Sequence, residues 1–194
     1  MDQQRDASAG YDAIAERYMA NRSTIGADLV RSWAETLPKP ATLLDIGCGH
    51  GEPLTAPLLE AGLSVYAIDA SAHMVAAYKA RWPSVMIACE TVEDSRFFDR
   101  RFNAALMVGL IFLIEEPRQK AVIKRLSNAL LPGGHLLFSA PHQAGSWRDV
   151  MTQNMSWSLG EKAYRRLLKQ AGFTMIATHL DEGGNHYYEA VLGL

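Results

Sequence analysis

Short apolar runs alternate along the chain with stretches in which apolar side chains recur every three or four positions. The runs at 41–46, 63–68, 84–88, 103–108 and 134–140 carry apolar residues on both parities, as strands buried on both faces do. Ahead of the first run, Tyr11, Ile14, Ala15 and Tyr18, and then Ile25, Leu29 and Trp33, fall at helical spacing and predict two helices. Further helices are expected over Ala72 to Arg81 and near 117–130, where Pro117 follows Glu115 and Glu116, carboxylates that complement a positive helix end. Ser158-Leu159-Gly160-Glu161 reads as a capping box before the amphipathic run Ala163 to Ala171, which stops at Gly172. Strands alternating with helices predict a parallel sheet covered on both faces. The final runs, Phe173 to Leu180 and His186 to Leu192, flank the polar turn Asp181-Glu182-Gly183-Gly184-Asn185 and predict a hairpin that adds one antiparallel strand. Gln143 to Trp157, with Trp147, Met151, Met155 and Trp157, reads as a loop beyond a strand end or a short packed helix.

Leu43-Leu44-Asp45-Ile46-Gly47-Cys48-Gly49-His50-Gly51 is the most informative stretch, an apolar strand emptying into three alternate glycines. Glycine lets a backbone pass close to a ligand and take positive φ without steric penalty. Glu52 and Pro53 then open what reads as a helix, with Pro53 in its first turn. Strand, glycine turn and helix start make a nucleotide-binding corner. The second strand ends in Asp69, about twenty residues past the first glycine, where a carboxylate can accept from both ribose hydroxyls. Asp69 with Ser71 also suits a helix N-cap, and the two roles are compatible. A dinucleotide fingerprint would place a small residue at position 52 for close helix packing, and this chain has Glu52.

The form Gly47-x-Gly49-x-Gly51 with Asp45 two residues upstream resembles the first motif of class I S-adenosylmethionine-dependent methyltransferases. Arg101 to Gly109 resembles the fourth-strand motif of that family, Leu131-Pro132-Gly133-Gly134 its turn into strand five, and Arg166-Leu167-Leu168 with Ala171-Gly172-Phe173 its junction before the terminal hairpin. The resemblance spans nearly the whole chain. It implies a Rossmann-like three-layer α/β sandwich around a seven-stranded, mostly parallel sheet of order 3-2-1-4-5-7-6 with one antiparallel strand. It further implies S-adenosylmethionine as cofactor, its amino-acid part beside Asp45, Gly47, Cys48, Gly49 and Gly51, and its ribose on Asp69 with Ala70 and Met74 nearby. The adenine would meet the amide of Val92, with Thr91 or Glu93 accepting from its amine, and Val108 and Gly109 would line the other side. The family often has Asp where Asn103 and Thr91 stand here. The N-terminal helix is expected to fold over the cofactor as a lid carrying Tyr11 or Tyr18.

Composition narrows the picture. The chain of 194 residues, 48% hydrophobic, suffices for one core, and residues 1–194 read as a single domain with N-terminal helices over 1–37. A net charge of -2 without basic runs argues against nucleic acid. No signal peptide opens the chain and no apolar segment is long enough to span a bilayer, so a cytoplasmic protein without membrane contact is expected. Cys48 and Cys89 read as reduced thiols without metal-ligand spacing, and no metal is expected.

A sulfonium methyl group is already activated, so such an enzyme mainly aligns its acceptor and excludes water. A protonated oxygen or nitrogen nucleophile also needs a base, for which histidine is suited at neutral pH. His50, His142 and His186 lie at expected strand ends or turns. His142, just beyond strand five on the carboxyl edge of the sheet, is the candidate base. The leading expectation is methyl transfer to a small-molecule oxygen, nitrogen or sulfur acceptor. A nicotinamide-dependent oxidoreductase and a non-catalytic cofactor-binding protein are the alternatives.

Overall fold

A computed structural model describes residues 6–194. The first five residues, which belong to the stretch read above as lacking a signal peptide, lie outside it. Five parallel strands form the body of the sheet: β1 (Thr42–Ile46), β2 (Ser64–Asp69), β3 (Met86–Cys89), β4 (Phe102–Met107) and β5 (Leu130–Ser139). β6 (Gly145–Arg148) pairs with β7 (Met155–Ser158) in a separate two-stranded hairpin. β8 (Phe173–Leu180) and β9 (His186–Leu192) return to the main sheet, whose order is β3-β2-β1-β4-β5-β9-β8. With the small hairpin set aside, that is the expected order, and β9 runs antiparallel to both its neighbours.

The helices are α1 (Ala15–Ala20), α2 (Ala27–Thr36), α3 (Thr55–Glu60), α4 (Ala72–Arg81), α5 (Glu116–Ala129) and α6 (Glu161–Gln170). Successive strand residues point to opposite faces, which divides the core in two. Leu44, Ile46, Leu136 and Phe138 face α5 and α6, packing with Ile123, Leu126, Tyr164 and Leu168. Leu43, Leu106 and Leu137 face the other way, against Val30, Trp33 and Leu58 of α2 and α3. The apolar run of each central strand is thus explained by cover on both sides.

Four local expectations need correction. The helix after the glycine turn starts at Thr55, later than Glu52 and Pro53 suggested, because the amides of Leu54 and Thr55 both turn back to Gly51 O at 3.0 and 2.8 Å. The Leu131–Gly134 segment lies within β5, at a register shift opposite Phe102 and Ala104, instead of forming a free turn. Residues 143–157 are neither an unstructured loop nor a helix. Gly145–Arg148 and Met155–Ser158 pair as strands, the turn between them tied by Asp149, whose Oδ1 accepts from the amides of Met151 and Thr152 at 2.9 and 2.7 Å. Finally, Ser158 does not cap α6 as a capping box would. Gly160 holds the N-cap, Ser158 Oγ accepts from its amide at 3.1 Å, and Glu161 is released to bind elsewhere.

Candidate active site

The carboxyl ends of β1, β2, β4 and β5 converge on a cavity of about 1240 Å³, where ligands of open α/β sheets bind. Pockets for one small ligand typically run about 300–1,000 Å³, so this one has room for two. The N-terminal segment roofs it and the β6–β7 hairpin closes one side.

The glycine loop is pinned to the sheet through the amides of Gly47 and Cys48, which both donate to Ile68 O, at 2.8 and 3.2 Å. Gly49 N donates to Asp69 Oδ2 and Ser71 N to Asp69 Oδ1, each at 2.8 Å. Ser71 Oγ accepts from Met74 N at 3.1 Å, so Ser71 caps α4 and Asp69 braces the loop from the end of β2. At Gly49 and at Gly109 the left-handed backbone leaves open space where a Cβ would stand. Those two glycines frame an open cradle on either side of the carboxyl edge of the sheet.

The electrostatics of this corner are acidic. Asp45, only 3% exposed, has its pKa pushed up to about 7 by burial and then by the charge of Asp69. Burial also raises Asp69, against the opposing pull of its backbone donors. Burial, reinforced by Asp45 and Asp69, lifts the Cys48 thiol well above its ordinary value, so it is held neutral. Two arginines line the cavity, Arg118, paired with Glu93, and Arg22, whose guanidinium stands 6.0 Å from the Tyr18 ring.

Of the residues singled out from sequence, Tyr11, Gly47, Gly49, Asp69, Ala70, Met74, Thr91, Val92, Glu93, Val108, Gly109 and His142 line the cavity. Asp45, Cys48 and Gly51 do not line it. A Cβ on Gly51 would come within 2.6 Å of Trp82 Nε1, so this glycine serves helix packing. Thr91 Oγ1 is engaged with Asp94, donating to Oδ2 at 2.8 Å and accepting from its amide at 3.0 Å, and Glu93 pairs with Arg118. His50 is half-buried against Tyr18, with ring centroids 6.3 Å apart and its pKa lowered by burial.

The N-terminal segment is clamped from two directions. Asp12 accepts from Ser71 Oγ at 2.6 Å and from His73 N at 3.0 Å, holding the segment to the start of α4. These bonds keep the Asp12 carboxyl near 2. Tyr11 OH donates to Asp149 of the hairpin turn at 3.1 Å, and Asn154 Nδ2 to Ala9 O at 2.8 Å. Burial, reinforced by Asp149, pushes the Tyr11 phenol far above its ordinary value, so it remains a donor.

At the far end, His142 Nδ1 lies 3.0 Å from Glu161 Oε2. Glu161 Oε1 accepts from Arg165 at 2.8 Å, and that bond, more than the two histidines, keeps its carboxyl below the usual range. The His142 ring stacks on His186, centroids 4.9 Å apart at 26°. Arg22, Glu161 and the ring pair were not identified from sequence. The local sequence places Glu161 in a capping box, and Arg22 carries no motif of its own.

The comparisons agree with this architecture. Residues 11–178 match the family described as "Methyltransferase domain". An uncharacterized methyltransferase of Synechocystis sp. is 25% identical over 74% of this chain and 71% of its own length. A demethylmenaquinone methyltransferase of Renibacterium salmoninarum is 25% identical over 89% of this chain and 75% of its own. Among solved structures, magnesium protoporphyrin IX methyltransferase of Synechocystis PCC 6803, crystallised with bound SAM, superposes over the full length of both chains with TM-score 0.77 at 18% identity. With the family match running from residue 11 through the glycine loop and cradle into β8, the chain belongs to the methyltransferase domain family and carries the fold of its class I S-adenosylmethionine-dependent members.

Proposed function

We propose that this chain, as one domain whose N-terminal segment ahead of α2 serves as a lid, transfers a methyl group from S-adenosylmethionine to a small-molecule acceptor. The observation that carries the reading is the pairing of two neighbouring carboxylates, buried Asp45 and half-buried Asp69 at the cavity wall, with the open cradle at Gly49 and Gly109. A cationic cofactor relieves the mutual repulsion of those carboxylates, whereas the pyrophosphate of a nicotinamide dinucleotide would aggravate it. The helix after the loop also starts too late to offer its N-terminus to a phosphate, since α3 begins at Thr55.

In this reading Gly47 and Gly49 adjoin the amino-acid part, Arg22 meets its carboxylate, Asp69 accepts from the ribose and Val92 borders the adenine. Thr91 and Glu93 are weaker candidates for the adenine amine, because Asp94 and Arg118 already engage them. When bound, the cofactor supplies a methyl group on a sulfonium sulfur that retains the C–S electron pair as the methyl leaves. The protein's share is to hold the acceptor in line, exclude water beneath the lid and receive a proton on His142. The free thiols of Cys48 and Cys89 suit a reducing, cytoplasmic setting. Among the described residues no helix is long and apolar enough to cross a membrane.

Titration calorimetry tests the reading. S-adenosylmethionine and S-adenosylhomocysteine should bind and reduced nicotinamide dinucleotide should not. Binding of the dinucleotide alone would replace this function with a redox one.

A further inference from the structure

The cavity wall changes character beyond Gly109. Phe112, Leu113, Trp147, Met155 and Trp157 line it there, and every one of them is left partly or fully exposed. Large apolar side chains left open inside a concavity mark a ligand surface more than a core. Two separate segments bring the rings together, since Phe112 follows β4 and Trp147 lies on β6, with centroids 5.7 Å apart at 44°. Beside this wall stand His142 and His186, stacked, with the Glu161 carboxylate on His142 Nδ1 and Arg165 behind it. A carboxylate on one imidazole nitrogen fixes that nitrogen as the donor and leaves the other free to accept a proton.

We propose that the acceptor is a flat, largely apolar ring system bearing a hydroxyl, seated against Phe112, Trp147 and Trp157, and that His142, oriented by Glu161, takes the hydroxyl proton. The proposal rests on the methyltransferase reading above and names its substrate class. Flat rings match aromatic walls through offset or edge-to-face contact. A phenolic hydroxyl is un-ionised near neutral pH, with an ordinary pKa of about 10, and so requires a base of this kind. The acceptor oxygen bonds the methyl carbon with a lone pair, its proton passes to the free nitrogen of His142, and the released bonding pair stays with the donor sulfur. The proton then leaves to solvent, to which His142 is exposed. Glu161 is a positioning residue, acting through His142.

Three probes test this: 2-naphthol, its saturated counterpart decahydro-2-naphthol, and 2-naphthalenethiol, a more acidic nucleophile that ionises without help. With protein saturated in S-adenosylhomocysteine, 2-naphthol should bind at least tenfold more tightly than the saturated alcohol. The W147A variant should lose most of that difference while its affinity for S-adenosylhomocysteine holds. In methyl transfer, H142A should lower kcat for 2-naphthol by a hundredfold or more with little change in KM, and kcat for the thiol by less than threefold. E161Q should lower kcat for 2-naphthol by about tenfold and move the His142 ring N–H resonance in the NMR spectrum, a signal a merely structural role would leave in place. Equal binding of the flat and saturated alcohols, failure of both to bind, or equal losses for naphthol and thiol in H142A would overturn the proposal while cofactor binding persists. Failure of S-adenosylhomocysteine itself to bind would instead remove the reading on which the proposal stands.

Discussion

The phenol of Tyr11 donates to Oδ2 of Asp149 at 3.1 Å across 138 positions of chain, joining the N-terminal segment to the turn of the β6–β7 hairpin. The same carboxylate orders that turn through Met151 and Thr152, so one buried group couples the two covers of the cavity. Removing the phenol leaves Asp149 its backbone donors, and a hydrogen bond to a charged acceptor is worth about 1.5–3 kcal/mol. Tyr11→Phe should therefore spare the fold and speed release of S-adenosylhomocysteine by about tenfold, equivalent to about 1.4 kcal/mol. Stopped-flow dissociation measures this, and an unchanged off-rate would separate the contact from closure.

Asp69 meets the loop and the cavity at once. Asparagine keeps its shape but supplies one acceptor oxygen in place of a charged pair, while Gly49 N and Ser71 N each need one. Asp69→Asn should weaken S-adenosylhomocysteine binding about 10- to 100-fold, or about 1.4–2.7 kcal/mol, with circular dichroism unchanged. Calorimetry showing wild-type affinity would take the ribose away from this residue.

What was legible in the sequence followed period and spacing. Apolar runs such as Leu43–Ile46 are read directly because burial on both faces demands them, and Gly49 and Asp69 sit at a spacing that the strand–turn–helix geometry dictates. The β6–β7 hairpin was not legible. Its strands are only four residues long, Gly145-Ser146-Trp147-Arg148 against Met155-Ser156-Trp157-Ser158, so the alternation in the second is too short a signal to separate strand from loop, and the first carries a single large apolar residue. Glu161 shows the same limit from another side. A local signal assigned it to a cap, but the positive φ of Gly160 redirects the chain and turns its carboxylate to His142.

Asp45 makes stability depend on pH in a direction opposite to that of a salt-bridged carboxylate. Its folded pKa of about 7 lies above the ordinary 3.8, so between these values the folded state holds a proton that the unfolded chain has released. The Asp45 contribution to stability is then greatest below about pH 4, falls as pH rises toward 7, and levels above it. Asp69, also raised, acts in the same direction. Asp45→Asn removes the Asp45 share, so its stability relative to wild type should grow between pH 5 and 8, by on the order of 2 kcal/mol. Urea denaturation at the two values gives the difference, and parallel behaviour of the two proteins would mean that Asp45 stays ionised when folded.

Gly49 and Gly51, two residues apart in one loop, should fail in different ways when given a methyl group. At Gly51 the added Cβ lies 2.6 Å from Trp82 Nε1 and 2.9 Å from Thr55 Oγ1, at φ +91°. Crowding of this kind typically costs about 1–3 kcal/mol, and positive φ adds about 1–2 for a residue with a side chain. At Gly49 nothing lies within 4 Å of the new atom, at φ +57°, in the αL region proper, so only the backbone penalty applies. That methyl group would, however, project into the open cradle assigned to the cofactor. Gly51→Ala should thus lower thermal stability by at least twice as much as Gly49→Ala and bind S-adenosylhomocysteine once folded. Gly49→Ala should remain folded and lose at least tenfold in affinity. Thermal melts with and without S-adenosylhomocysteine report both quantities together, because a ligand that binds only the folded state raises the midpoint in proportion to its affinity. A normal ligand-induced shift in Gly49→Ala would place the cofactor away from this glycine.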